Sequence, residues 1–126
     1  MDRESAPPRV LVIGLDPYRT GGPWDPEPIA VGIEAGKARF VEQGLGAEFC
    51  LFALDGSDDV DAVVSAALAA HPWECVVVGG GVRGDLALLE RVINLVHRHA
   101  PQAAIAFNDS PDTTYDAAAR WLDTTG

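Results

Sequence analysis

Three clusters of side chains in this chain are of types that bind or transform small molecules. Asp16, Tyr18 and Arg19 follow an apolar run and bring together a carboxylate, a phenol and a guanidinium. Gly79-Gly80-Gly81-Val82-Arg83-Gly84 combines unhindered backbone N–H groups with one guanidinium, the donors that a phosphate or carboxylate needs. Asn108, Asp109 and Ser110 form the third cluster, just ahead of Pro111. If Asp16 and Asp109 face one crevice, they could serve as a metal pair or as general base and acid, with Arg19 and Arg83 anchoring an anionic group. Trp24 stands in a Pro-rich segment, either as a lid aromatic over a ligand or as the plug that pins a long loop.

Each cluster also has a purely structural explanation. Asp before Pro commonly closes an Asx-turn, which would account for Asp16. Asn108-Asp109-Ser110-Pro111 is a good start for a helix without any ligand, with Ser110 as N-cap and Pro111 at the first helical position. The glycines of 79–84 let a chain turn tightly over a sheet. That segment is neither GxGxxG with an acidic partner nor GxxxxGK[ST], so dinucleotide and P-loop binding have no support. His71, His97 and His99 fall at helix ends, where cations suit the dipole, and no GxSxG elbow is present; Ser110 therefore lacks a base and hydrolase chemistry is disfavoured. Cys50 and Cys75 sit in apolar runs without CxxC or Cys/His spacing, as buried free thiols do. No metal site is assigned from these spacings, and no cofactor is named by them.

The elements that must position these residues are written in the apolar pattern. Val10 to Leu15 is a continuous, β-branched-rich run, as expected of a strand covered on both faces. Pro17 to Pro28, with four prolines, Gly21-Gly22 and Trp24, reads as a long loop. Helical spacing follows from about Glu27 to Gln43, with Gly44 as the C-terminal stop. Gly32 and Gly36, four apart in that helix, point to close approach of a neighbouring backbone. Ala47 to Leu54 is a second strand, and Ser57 is the expected N-cap of a helix reaching Ala70. Glu74 to Val78 is a third strand, followed by the glycine loop and a helix from Asp85 with Leu86, Leu89, Val92, Ile93 and Val96 on one face. Ala103 to Phe107 and a helix from Pro111 to about Leu122 complete the pattern.

Four βα units in strict alternation predict a small doubly wound α/β three-layer sandwich with four parallel strands. The commonest order for such a sheet is the flavodoxin-like 2-1-3-4, and the domain is expected to span 10–126 behind a flexible leader of residues 1–9. This class resembles that of response-regulator receivers, which keep acidic metal ligands where Asp16 stands. The chain departs from them where their phospho-accepting Asp would be, since Gly79-Gly80-Gly81 occupies that place. Flavodoxins carry a Ser/Thr/Gly-rich phosphate loop after β1, where this chain has Asp16-Pro17-Tyr18-Arg19-Thr20-Gly21-Gly22. The stretch Val10 to Gly22 also resembles the first strand of pyroglutamyl peptidases, whose Cys-His-Glu set finds no suitably placed cysteine here.

With 126 residues, 48% of them apolar, the chain can build one core. Its net charge of −10 opposes binding to a phosphate backbone or an anionic membrane surface, and no apolar run approaches the length of a membrane-spanning helix. A cytoplasmic location is expected. In such sheets ligands lie beyond the carboxyl ends of the strands where the order reverses, here between β1 and β3. The expected function is binding of a small anionic ligand there by Asp16, Tyr18, Arg19, Trp24, Gly80, Gly81, Arg83, Asn108, Asp109 and Ser110. The alternative is a non-catalytic accessory subunit, a homodimer through an edge strand or helix face.

Overall fold

The structure, a computed structural model, describes residues 8–19 and 25–122. Its sheet has four parallel strands in the order β2-β1-β3-β4, where β1 is Val10–Leu15, β2 Ala47–Phe52, β3 Cys75–Val78 and β4 Ala104–Phe107. Register is set by apolar residues on both strands of each pair: Val10 lies beside Ala47 and Cys75, and Ile13 beside Cys50 and Val78. Both faces of the sheet are covered, which is why β1 and β3 are continuously apolar rather than alternating.

The two faces of β1 divide the core. Leu11 and Ile13 point to one side with Phe52, Val76 and Val78, against α2 (Val60–Ala69) and α4 (Leu86–His99), whose Val64, Leu68, Val92 and Val96 are buried there. Trp73 is fully enclosed in this layer, and its indole N–H donates to the Ala67 carbonyl at 2.9 Å. Val10 and Val12 point to the other side, against α1 (Glu27–Gln43) and α5 (Thr114–Ala119), where Phe40 meets Tyr115 edge-to-face. The result is a doubly wound α/β sandwich with helices on both faces. No helix among the described residues is long and apolar enough to cross a membrane.

Several boundaries differ from expectation for local reasons. β2 ends at Phe52 and not at Leu54, because the next amide, Ala53 N–H, donates to the Asp58 carboxylate at 2.8 Å. That same contact holds the chain out of helical geometry past Ser57, so the N-cap of α2 is Asp59, which accepts from Ala62 N–H at 3.3 Å. Segment 79–84 is not an open loop: Gly80–Arg83 forms a single helical turn, α3, anchored by the fully buried Val82. The helix expected from Pro111 begins as a 3-10 turn, Pro111–Thr113, before α5. Gly44 does close α1, in the left-handed region at φ 69°.

Of the expected leader, residues 1–7 lie outside the described residues. Arg9 is held at the start of β1: its guanidinium makes a paired contact with the Glu74 carboxylate at 2.9 and 3.0 Å, and its N–H donates to the Gly46 carbonyl.

Candidate functional site

At the carboxyl ends of β1 and β3 two glycines stand side by side. Gly14 faces the α1 side of β1, and Gly79 donates its N–H across to the Ile13 carbonyl at 2.9 Å. Without side chains there, the sheet leaves a hollow under the first half of α1. The hollow is a cavity of about 230 Å³ walled by Val12, Phe49 and Leu51 from the sheet, Ile29 and Ile33 from α1, and Pro111 and Thr114 from the α5 side. Its polar border is made of Gly79, Gly80, Gly81, Asn108, Asp109 and Ser110. Mostly apolar walls with a few convergent polar groups, at the strand-order switch point, are the ordinary composition of a small-molecule site.

Of the residues singled out by sequence, the cavity therefore gathers Gly80, Gly81, Asn108, Asp109 and Ser110. Asp109 is exposed at the mouth, while Asn108 is only 6% exposed. Trp24 lies outside the described residues. Asp16, Tyr18, Arg19 and Arg83 are not among the lining residues.

Asp16, Tyr18 and Arg19 form a different cluster, on the side of β1 next to β2. The Asp16 carboxylate accepts from Tyr18 N–H and from Arg19 Nε, both at 3.0 Å, which is the Asx-turn that Asp before Pro favours. Arg19 also donates to Ser57 Oγ at 3.2 Å and to Asp58 Oδ2 at 3.3 Å, so it joins the loop after β1 to the loop after β2. The Arg19 hydrogen bond holds the Asp16 carboxyl below its ordinary pKa despite partial burial. Tyr18 is exposed and donates to the Glu27 carboxylate at 3.0 Å, and that bond raises its phenol pKa. Asp16 and Asp109 do not share the cavity, and no group of three or more His, Cys, Asp or Glu suited to a metal occurs among the described residues.

Arg83, expected at a loop tip, folds back under its own turn. It donates to the Val78 carbonyl at 2.9 Å and to Asn108 Oδ1 at 3.0 Å, with its guanidinium carbon 5.9 Å from the Phe107 ring centroid. Asn108 in turn donates from Nδ2 to Thr114 Oγ1 at 2.9 Å, and the Thr114 hydroxyl donates to the Pro111 carbonyl at 2.6 Å. A chain of donors thus runs from α3 across the end of β4 to the start of α5, behind the polar edge of the cavity.

The apolar walls escape a reading of sequence, because Ile29, Ile33, Phe49 and Leu51 are indistinguishable from core residues by type. The one signal is Gly14, a lone glycine in a β-branched run, which marks a bulge or a close approach to a strand. Comparisons with protein-family models, with curated proteins and with solved structures find no match to this chain.

Proposed function

We propose that the chain is a small-molecule-binding domain whose ligand sits in the crevice at the carboxyl ends of β1 and β3. The observation that carries this reading is the apolar cavity opened by Gly14 and bordered by Gly79–Gly81 and Asn108–Ser110. The ligand class is a small anion with a hydrocarbon body. The Asn108 amide favours an oxygen acceptor at one end, and the isoleucine, phenylalanine and leucine walls favour a desolvated tail at the other. Inorganic phosphate would leave that apolar surface uncovered, so a short carboxylate suits the cavity better.

The test is a titration of the ¹⁵N-labelled protein with hexanoate and, separately, with inorganic phosphate. Binding in the crevice should move the amide signals of Gly79–Gly81 and Asn108 with hexanoate and leave them in place with phosphate. No movement with any short carboxylate or phosphate would overturn the crevice as a ligand site. That outcome would favour an accessory subunit, a reading supported by Phe107, 43% exposed on the edge strand β4.

A further inference from the structure

The hydrogen bonds behind the cavity run in one direction, and this fixes what the cavity presents to a ligand. An arginine guanidinium can only donate, so the Asn108 atom facing Arg83 at 3.0 Å must be its carbonyl oxygen. The Nδ2 group is thereby turned to Thr114 Oγ1 at 2.9 Å, which must accept. Thr114 can accept there because its own proton goes to the Pro111 carbonyl, an acceptor without a proton to give, at 2.6 Å. Each link removes the alternative orientation of the next, so the Asn108 amide cannot flip without breaking two bonds and opposing donor to donor. One of its two Nδ2 protons is used by Thr114. Among the described residues the other has no acceptor, although Asn108 is only 6% exposed and lines the cavity.

We infer that Asn108 is the specificity-determining residue of the crevice, presenting one N–H donor to an oxygen-acceptor head group, a carboxylate or an amide carbonyl, and discriminating against ammonium heads. Arg83 is a positioning residue: it holds the amide in the donor-inward orientation and supplies positive charge at one remove. The inference rests on the crevice being the ligand site, and it adds which atom reads the ligand and what that atom selects. A buried donor left without an acceptor is costly, and this is the physical basis of the selectivity.

The experiment compares three probes with the same six-carbon tail, hexanoate, hexanamide and hexylammonium, on the wild-type protein, Asn108→Asp and Arg83→Ala, with crevice amide shifts as the readout. Wild type should bind hexanoate and hexanamide and prefer hexanoate to hexylammonium by at least about tenfold, the scale of one hydrogen bond to a charged group. Asn108→Asp keeps an oxygen for Arg83 but replaces the donor by an acceptor, so the preference should reverse toward hexylammonium. Arg83→Ala removes one of the two bonds that hold the amide and the positive charge behind it, so the preference should narrow while tail binding persists, a change in selectivity that loss of stability alone would not give. Equal binding of all three probes by wild type, or an unchanged preference in both variants, would overturn the role of Asn108 and leave the crevice reading standing. Absence of crevice shifts with every probe would overturn the crevice reading itself, and this inference with it. Should Asn108→Asp fail to fold, the wild-type series and Arg83→Ala decide between these outcomes.

Discussion

Gly36 of α1 packs so closely on Pro111 that a Cβ at Gly36 would stand 2.5 Å from the Pro111 carbonyl oxygen. One turn earlier, a Cβ at Gly32 would meet the Pro111 ring at 3.2 Å. The two glycines let α1 lie on the 3-10 turn that carries Pro111 and leads to Thr114, and both of those residues wall the cavity. The same Pro111 carbonyl takes the Thr114 proton, so the helix crossing and the donor chain share an atom. Gly36→Ala should therefore destabilise by about 1–3 kcal/mol, the usual cost of forcing volume into a packed contact, even though alanine gains about 1 kcal/mol of helix propensity. Thermal or urea unfolding of the variant checks the sign; an unchanged or raised midpoint would mean that α1 does not press on Pro111.

Gly14 makes the opposite case. A Cβ there would lie 3.5 Å from Leu51 Cδ2, ordinary contact, so the sheet tolerates the added methyl. Glycine inside a strand carries an entropic penalty that alanine relieves, and Gly14→Ala should raise stability by up to about 1 kcal/mol. The methyl would intrude on the cavity, so hexanoate affinity should fall as the melting temperature holds or rises. Measuring both on one sample separates the roles: a loss of affinity accompanied by a loss of stability would show that Gly14 serves the fold instead.

The architecture was legible because β1, β3 and β4 are uninterrupted apolar runs and α1, α2 and α4 each carry their own stop or cap. Val10–Leu15 and Cys75–Val78 announce central strands, and Gly44 ends α1 as written. What the local sequence could not convey is tertiary competition for polar groups. Asp58 looks like a first-turn acid of α2, yet its carboxylate is taken by Ala53 N–H and Arg19, which shortens β2 and delays the helix to Asp59. Arg83 looks like a loop-tip anion anchor, yet it turns inward to Val78 and Asn108. The placement of the polar border at strand ends follows from topology alone, whereas the apolar walls required knowing which face of β2 lies under α1.

The two cysteines should be chemically silent in the folded protein. Burial pushes the Cys75 thiol up to about 11, and burial together with the Asp58 charge raises Cys50 as well. The thiolate is the reacting species, so its population at neutral pH is suppressed at both sites. Iodoacetamide at pH 7 should leave both residues unmodified in native protein and label both in denaturant, as intact mass reports. Rapid labelling of native Cys75 would mean that β3 opens far more readily than its complete burial implies.

Acid should weaken the fold through the carboxylates that hold ion pairs. The Arg9 hydrogen bonds hold Glu74 below its ordinary 4.5, and the Arg19 hydrogen bond holds Asp16 below its ordinary 3.8. A carboxyl whose pKa is lower folded than unfolded binds fewer protons in the native state, so its contribution is complete above the unfolded value and disappears as pH falls through the folded one. Stability should accordingly be level in these two groups from pH 7 to about 5 and decline below about 4.5, Glu74 first and Asp16 after it. The Glu74 carboxyl is half exposed, at 49%, and solvent screening limits its pair with Arg9 to about 1 kcal/mol or less. Glu74→Gln should therefore lower the urea midpoint slightly at pH 7, and its difference from wild type should shrink as the pH falls below about 4.5 and the native glutamate takes up its proton. A difference that persisted unchanged at pH 3 would assign the effect to packing and not to charge.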